Sequence, residues 1–139
     1  MADFDTTEQI QESLDSSPFS AFCGFRIEEV HKDDGRIVMR MPMRPEMERL
    51  AGSGQMHGGP IACLVDTAAC YACMLVLDHG VPTINFRIDY LRPVIDSDLK
   101  AVARVRRAGR TVAVADVDIF NDGGKLVATG RGTFSASAG

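Results

Sequence analysis

The residues able to do chemistry in this chain are His57-Gly58-Gly59-Pro60 and, further on, a lone Asp66. From Ile61 to Leu77 the sequence is apolar almost without a break, and Asp66 is its single carboxylate. An ionised carboxylate in such a run is costly unless something pairs with it, hydrates it or uses it. Two glycines let a backbone come close to another group, and Pro60 in the first turn of a helix gives up an N–H that has no partner there anyway. The free N–H groups of that turn, with the helix dipole behind them, can hold a carbonyl oxygen as it becomes negative. Asp66 follows further along the apolar run. Axial rise places it about 12 Å from Gly58 on the same helix. That distance is awkward for one site within a single chain and becomes sensible if the carboxylate belongs to a site shared with another subunit. A structural carboxylate bonded by Thr67 or a backbone N–H is the plain alternative for Asp66, as a satisfied loop histidine is for His57.

The elements that must position these groups follow from periodicity. Residues from Thr6 to Leu14 read as a short amphipathic helix ended by Ser16-Ser17-Pro18. Phe25 to Val30 and Ile37 to Met43 read as strands around the turn Lys32-Asp33-Asp34-Gly35. In the second, Ile37, Met39, Met41 and Met43 are expected on one face, with Arg36, Val38 and Arg40 on the other. A loop from Arg44 to Gln55 leads into the long apolar helix, which ends at Asp78-His79-Gly80. Thr83 to Leu91 alternates, placing Ile84, Phe86, Ile88 and Tyr90 on one face and Thr83, Asn85, Arg87 and Asp89 on the other. Leu99 to Arg106 and Thr111 to Phe120 form a hairpin, and a second hairpin turns at Asn121-Asp122-Gly123-Gly124 and returns through Lys125 to Phe134. One helix apolar all round, with many antiparallel strands to cover it, predicts an α+β domain in which a sheet wraps a central helix.

Composition narrows the function. The 139 residues fit a single domain (1–139, with residues 1–20 as an N-terminal helical extension), and 45% hydrophobic content supports a core. A net charge of −4 and a pI near 5.3 argue against a nucleic-acid surface. The acidic opening Met1-Ala2-Asp3-Phe4-Asp5 does not read as a secretory leader, so a cytoplasmic protein is expected. The 61–77 run reads as a buried core helix and not a membrane span. Cys23, Cys63, Cys70 and Cys73 read as reduced thiols, because the Cys70-Tyr71-Ala72-Cys73 pattern lies inside the helix and nothing completes a zinc set. No metal site is expected. His31 and His79 flank turns and are expected at the surface.

Gly54-Gln55-Met56-His57-Gly58-Gly59, with Asp66 nine residues beyond the histidine, resembles the signature of hotdog-fold acyl-CoA thioesterases. The phenylacetic-acid-degradation (PaaI-like) type is the nearest in pattern. Asn85-Phe86-Arg87-Ile88-Asp89-Tyr90-Leu91-Arg92-Pro93 and Gly123-Gly124-Lys125-Leu126-Val127-Ala128 are similar to the same family, so the resemblance spans roughly residues 20–135. It implies a hotdog fold, a homodimer and usually a homotetramer, and a site at the dimer interface. The Gly58 N–H would polarise the thioester carbonyl, with Asp66 of the other subunit as general base or nucleophile. His57 would orient the loop, Thr83 would contact the carboxylate, and Gly59 and Gln55 would touch substrate. The substrate would be an acyl-CoA and no cofactor would be needed.

The chain departs from the family at Ala51, six residues before His57, where Asn or Gln is common. Ser53 and Gln55 are the neighbours able to offer the missing hydrogen bond. An acyl-CoA-binding or sensing protein with little turnover is therefore the second reading. A hotdog hydratase is the weakest, since His57 and Asp66 are in the wrong order for the usual motif. Arg107 and Arg110, on a hairpin turn, have the reach for a nucleotide tail, but surface solubility is the default reading and they are not assigned to the site.

Overall fold

The computed structural model describes residues 4–137. Three helices, α1 (Thr7–Ser16), α2 (Pro18–Cys23) and α3 (Gly58–Leu77), accompany six strands. The strands are β1 (Arg26–His31), β2 (Arg36–Met41), β3 (Thr83–Tyr90), β4 (Leu99–Ala108), β5 (Val112–Phe120) and β6 (Leu126–Ser135). All neighbours are antiparallel, in the order β1-β2-β4-β5-β6-β3. The sheet closes around α3, which packs against every strand from β2 to β6. This is the α+β hotdog arrangement expected above.

Small residues set how closely helix and sheet approach. The inward positions of β4, β5 and β6 include Ala101, Ala103, Ala113, Ala115 and Ala128, all fully buried. They meet Ala68, Ala69, Ala72 and Cys73 of α3, which are equally buried. Gly130 and Gly132 of β6 complete this surface. A Cβ on Gly130 would lie 2.8 Å from Val65 Cγ1 and 2.6 Å from the Arg87 carbonyl, closer than any side chain tolerates. Larger residues close the ends of the layer, among them Phe25, Ile37, Met39, Leu64, Leu75 and Phe134. α3 has the length and apolarity of a membrane-crossing helix. Here the sheet covers it, and nine of its residues are buried.

Several details differ from the sequence expectation. Ser16-Ser17-Pro18 does end α1, but the chain passes directly into another helix. Ser17 caps a second helix, its side chain accepting from the Ser20 N–H while Pro18 sits in the first turn. β2 stops at Met41, and Val38, assigned to the arginine face, is as buried as its neighbours. The loop from Arg44 contains a 3₁₀ turn, Pro45–Met47. The largest change is in β3, where the alternation breaks at a bulge between Thr83 and Asn85. Asn85 pairs with Thr133, but Thr83 pairs with the inward-facing Phe134. A bulge adds one residue and so reverses the faces beyond it. Thr83 is thereby turned to the helix side, and Ile84, expected in the core, is 59% exposed.

The two sheet edges are treated differently. At β1, Gln11 of α1 stands in for a strand: its Nε2 donates to the Phe25 carbonyl at 3.1 Å, and the Ile27 N–H donates to its Oε1 at 2.9 Å. The outer edge of β3 has no such cover among the described residues.

Gly130→Val is expected to lower stability by about 3 kcal/mol or more, because both clashing groups belong to packed backbone or core. Urea unfolding followed by circular dichroism measures this, and an unchanged midpoint would contradict the close helix–sheet approach.

Candidate active site

The segment entering α3 is locked on both sides before the helix begins. His57 N–H donates to the Met47 carbonyl and Met56 N–H to the Val94 carbonyl, both at 2.8 Å. Arg49 N–H donates to the Gln55 carbonyl at 2.8 Å and Asp96 N–H to the Gly54 carbonyl at 2.9 Å. The Glu48 carboxylate takes the Gly54 N–H at 2.6 Å. Gly54 has φ +70°, and a Cβ there would collide with Asp96 Oδ1 at 2.1 Å, so glycine is required on both counts. These bonds fix the backbone that presents Gly58.

His57 is the N-cap of α3, and its Nδ1 accepts from the Gly59 N–H at 3.4 Å, a long bond. This is an orienting role for the histidine, which is exposed. The Gly58 N–H meets no acceptor among the described residues, as first-turn donors generally do not. The Gly58 carbonyl accepts from the Tyr90 hydroxyl at 2.8 Å. The Tyr90 ring lies so near that a Cβ on Gly58 would be 3.2 Å from its oxygen. Glycine at 58 therefore serves two needs, a bare N–H and room for Tyr90. A cleft of about 340 Å³ opens here, lined among others by Gln55, Met56, Gly58, Ile61 and Tyr90.

Asp66 is half-buried on the stripe of α3 that the sheet leaves uncovered, together with Ala62, Cys63 and Cys70. The Thr83 hydroxyl donates to its Oδ1 at 2.8 Å, which the β3 bulge makes possible. Oδ2 is left for a water or substrate atom. Thr83 and Tyr90 stand at the two ends of β3 and hold α3 at Asp66 and Gly58 respectively. The two catalytic candidates thus remain about two helical turns apart within one chain.

Of the residues proposed from sequence, Gln55, Gly58, His57 and Gly59 gather at the helix start, while Asp66 and Thr83 form a second cluster. Ala51 lies exposed on the turn Leu50–Gly52. Ser53 is used locally, accepting from the Gln55 N–H at 3.2 Å. Tyr90 was the residue missed. It was assigned only to the core-facing side of its strand, and nothing in the spacing links it to Gly58. His31 and His79 are half-buried and not fully exposed, with His31 bonded to Glu29.

All four cysteines are free thiols. Burial first, and then the Asp66 carboxylate, pushes the Cys70 thiol up to about 12. Burial alone pushes Cys73 up to about 12, and Cys63 is raised by burial and by Asp66. None is a thiolate near neutral pH. Among the described residues no three His, Cys, Asp or Glu side chains cluster as a metal site. A concavity of about 490 Å³ on the opposite face of the sheet contains the Arg131–Asp116 pair, whose bonds measure 2.6 and 3.1 Å. It faces away from Asp66.

The thioesterase superfamily model matches residues 53–128, from the entry loop to the start of β6. This chain belongs to the thioesterase superfamily. It is 37% identical to the acyl-coenzyme A thioesterase PaaI of Escherichia coli, over 76% of this chain and 74% of that protein. It is 34% identical to human acyl-coenzyme A thioesterase 13, with 71% of each chain covered. The solved structure of the E. coli PaaI protein superposes with a TM-score of 0.81 at 30% identity, covering 94% of this chain and 91% of that one. The PaaI-like hotdog thioesterase pattern read from the sequence is thus the right family.

Cys70 and Cys73 of the native superfamily domain are expected to resist a disulfide reagent at pH 8 and to react as the protein unfolds. Peptide mapping after timed labelling checks this, and fast labelling of either thiol in the folded protein would contradict their burial.

Proposed function

We propose that this protein hydrolyses acyl-CoA thioesters at a site shared between two copies of the chain. The carrying observation is that Asp66 sits at the uncovered stripe of α3, oriented by Thr83, while the bare Gly58 N–H lies at the other end of the same helical segment. A neighbouring copy, docked antiparallel along the open β3 edge, brings its Asp66 to this chain's Gly58. The different treatment of the two edges supports that reading: Gln11 closes β1, and β3 is left able to pair. The names of the relatives support the substrate class.

In this reading the thioester carbonyl oxygen points at the Gly58 N–H and is stabilised as it becomes negative. Such a donor is worth about 10²–10³ in rate. The facing Asp66 takes a proton from water as the water oxygen bonds to the carbonyl carbon. The tetrahedral intermediate collapses with loss of the thiolate, which receives the proton, giving a carboxylic acid and free CoA. The alternative route has Asp66 attack the carbonyl to form an anhydride that water then opens. Thr83 holds one carboxylate oxygen in either route, and Tyr90 fixes the peptide that follows Gly58.

Asp66→Asn keeps the shape and the Thr83 bond but lacks a base and a carboxylate nucleophile. Hydrolysis of a panel of aromatic and aliphatic acyl-CoAs is expected to fall by about 10³ or more, with binding retained. Unchanged turnover in that variant would exclude this mechanism. Saturable binding by the wild type without any thiol release would instead favour a binding or sensing protein, the reading that Ala51 raises. Single turnover in ¹⁸O-water separates the two routes, because the label enters the Asp66 carboxylate only if it is the nucleophile.

Tyr90→Phe removes one hydrogen bond without changing shape. A drop in kcat of about five- to tenfold is expected, since a typical bond contributes about 1 kcal/mol. Steady-state kinetics checks it: a KM change with kcat intact would mean that Tyr90 only lines the cleft.

A further inference from the structure

The start of α3 offers a developing oxyanion a single backbone donor. The Gly58 N–H is free, but the Gly59 N–H is directed at His57 Nδ1 and Pro60 has none. A carbonyl oxygen carries two lone pairs, and the charge that grows on it is met best by more than one fixed donor. Ala51, on its exposed turn, has no polar group to add. A second donor has to come from a side chain at the cleft.

The lining of the cleft at Gly58 narrows the choice. Tyr90 already gives its one proton to the Gly58 carbonyl. Ser53 is outside the lining, and its Oγ faces the Gln55 N–H. Gln55 does line the cleft, and it is the uncharged side chain there with N–H groups uncommitted among the described residues. It lies three residues before Gly58, which keeps the two Cα atoms within about 11 Å.

The backbone of Gln55 is fully engaged. Its N–H donates to Ser53 Oγ at 3.2 Å, its carbonyl accepts from the Arg49 N–H at 2.8 Å, and it forms a β-bridge with Ile95. What remains for the cleft is the half-buried carboxamide, which has no hydrogen-bond partner among the described residues. Pinning on both sides holds this amide beside Gly58 before any substrate arrives, and a donor fixed in advance costs little reorganisation during reaction.

We infer that Gln55 is a catalytic residue whose Nε2 donates to the thioester carbonyl oxygen alongside the Gly58 N–H. The inference rests on the thioesterase reading and extends it: the oxyanion site is completed within one chain, and only the carboxylate is borrowed from the other copy. Gln55 thereby supplies, from the strand-like entry to α3, the amide that position 51 lacks.

Two measurements on the full-length protein test this. One is steady-state hydrolysis of phenylacetyl-CoA. The other is infrared spectroscopy of its bound ketone analogue, in which CH₂ replaces the thioester sulfur and the carbonyl carries ¹³C, so that no turnover is needed. Gln55→Ala and the isosteric Gln55→Glu, which keeps the shape but lacks the N–H, are each expected to lower kcat about 100-fold with KM within about twofold. The carbonyl stretch of the bound ketone is expected at lower frequency in wild type than in either variant, because two donors polarise the bond more than one. An unmoved kcat, or an unmoved stretch, in both variants overturns the assignment. So does a stretch that moves in Ser53→Ala or Arg49→Met and in neither Gln55 variant. A wild type that shifts the ketone stretch through Gln55 but hydrolyses no thioester keeps Gln55 as the carbonyl donor and removes the hydrolase reading.

Discussion

Everything in this structure depends on how near α3 lies to the sheet. The helix is apolar on nearly all sides, so it must be covered, and one six-stranded sheet has to bend around it to do so. Bending that far requires small side chains at the contact. Alanines on β4, β5 and β6 pack on the alanines of α3, with Gly132 against Ala69 and Gly130 against Val65, so the two layers approach closely. Close packing of this kind gains dispersion contacts that any extra methylene would disrupt. It also fixes the helix in translation and rotation, which a catalytic helix needs more than a structural one does.

The strand at the open edge converts that fixed helix into a site. β3 contacts α3 through two hydroxyls, Thr83 on Asp66 and Tyr90 on the Gly58 carbonyl. The spacing of these contacts is set by the strand, while the spacing of their targets is set by the helix. The bulge after Thr83 reconciles the two by turning Thr83 inward at the cost of exposing Ile84. One irregularity therefore orients the carboxylate and places an apolar side chain on the edge where a second copy would dock. A single strand thus links the carboxylate and the helix start.

Much of this was legible in the sequence. The glycine-rich entry, the apolar run and the single carboxylate mark the helix, its start and its candidate reactive residue without any structure. Periodicity gave all six strands with small errors at their ends. The sequence did not show that Ser17-Pro18 opens a second helix, because a cap and a stop use the same residue types. It did not place Thr83, because alternation assumes an unbroken register and one extra residue inverts it. Tyr90 looked like core, since an aromatic on an inward face usually is.

Local chemistry thus determined the family, the central helix and the candidate residues at its start and middle. Those depend on residue type and short spacing, which a linear chain states directly. Tertiary structure decided which side chains meet across elements: Thr83 with Asp66, Tyr90 with Gly58, and Gln11 with β1. Those contacts join residues up to 32 positions apart, as Gly58 and Tyr90 are. They arise only when the sheet curls around the helix, so no local pattern along the chain can encode them visibly.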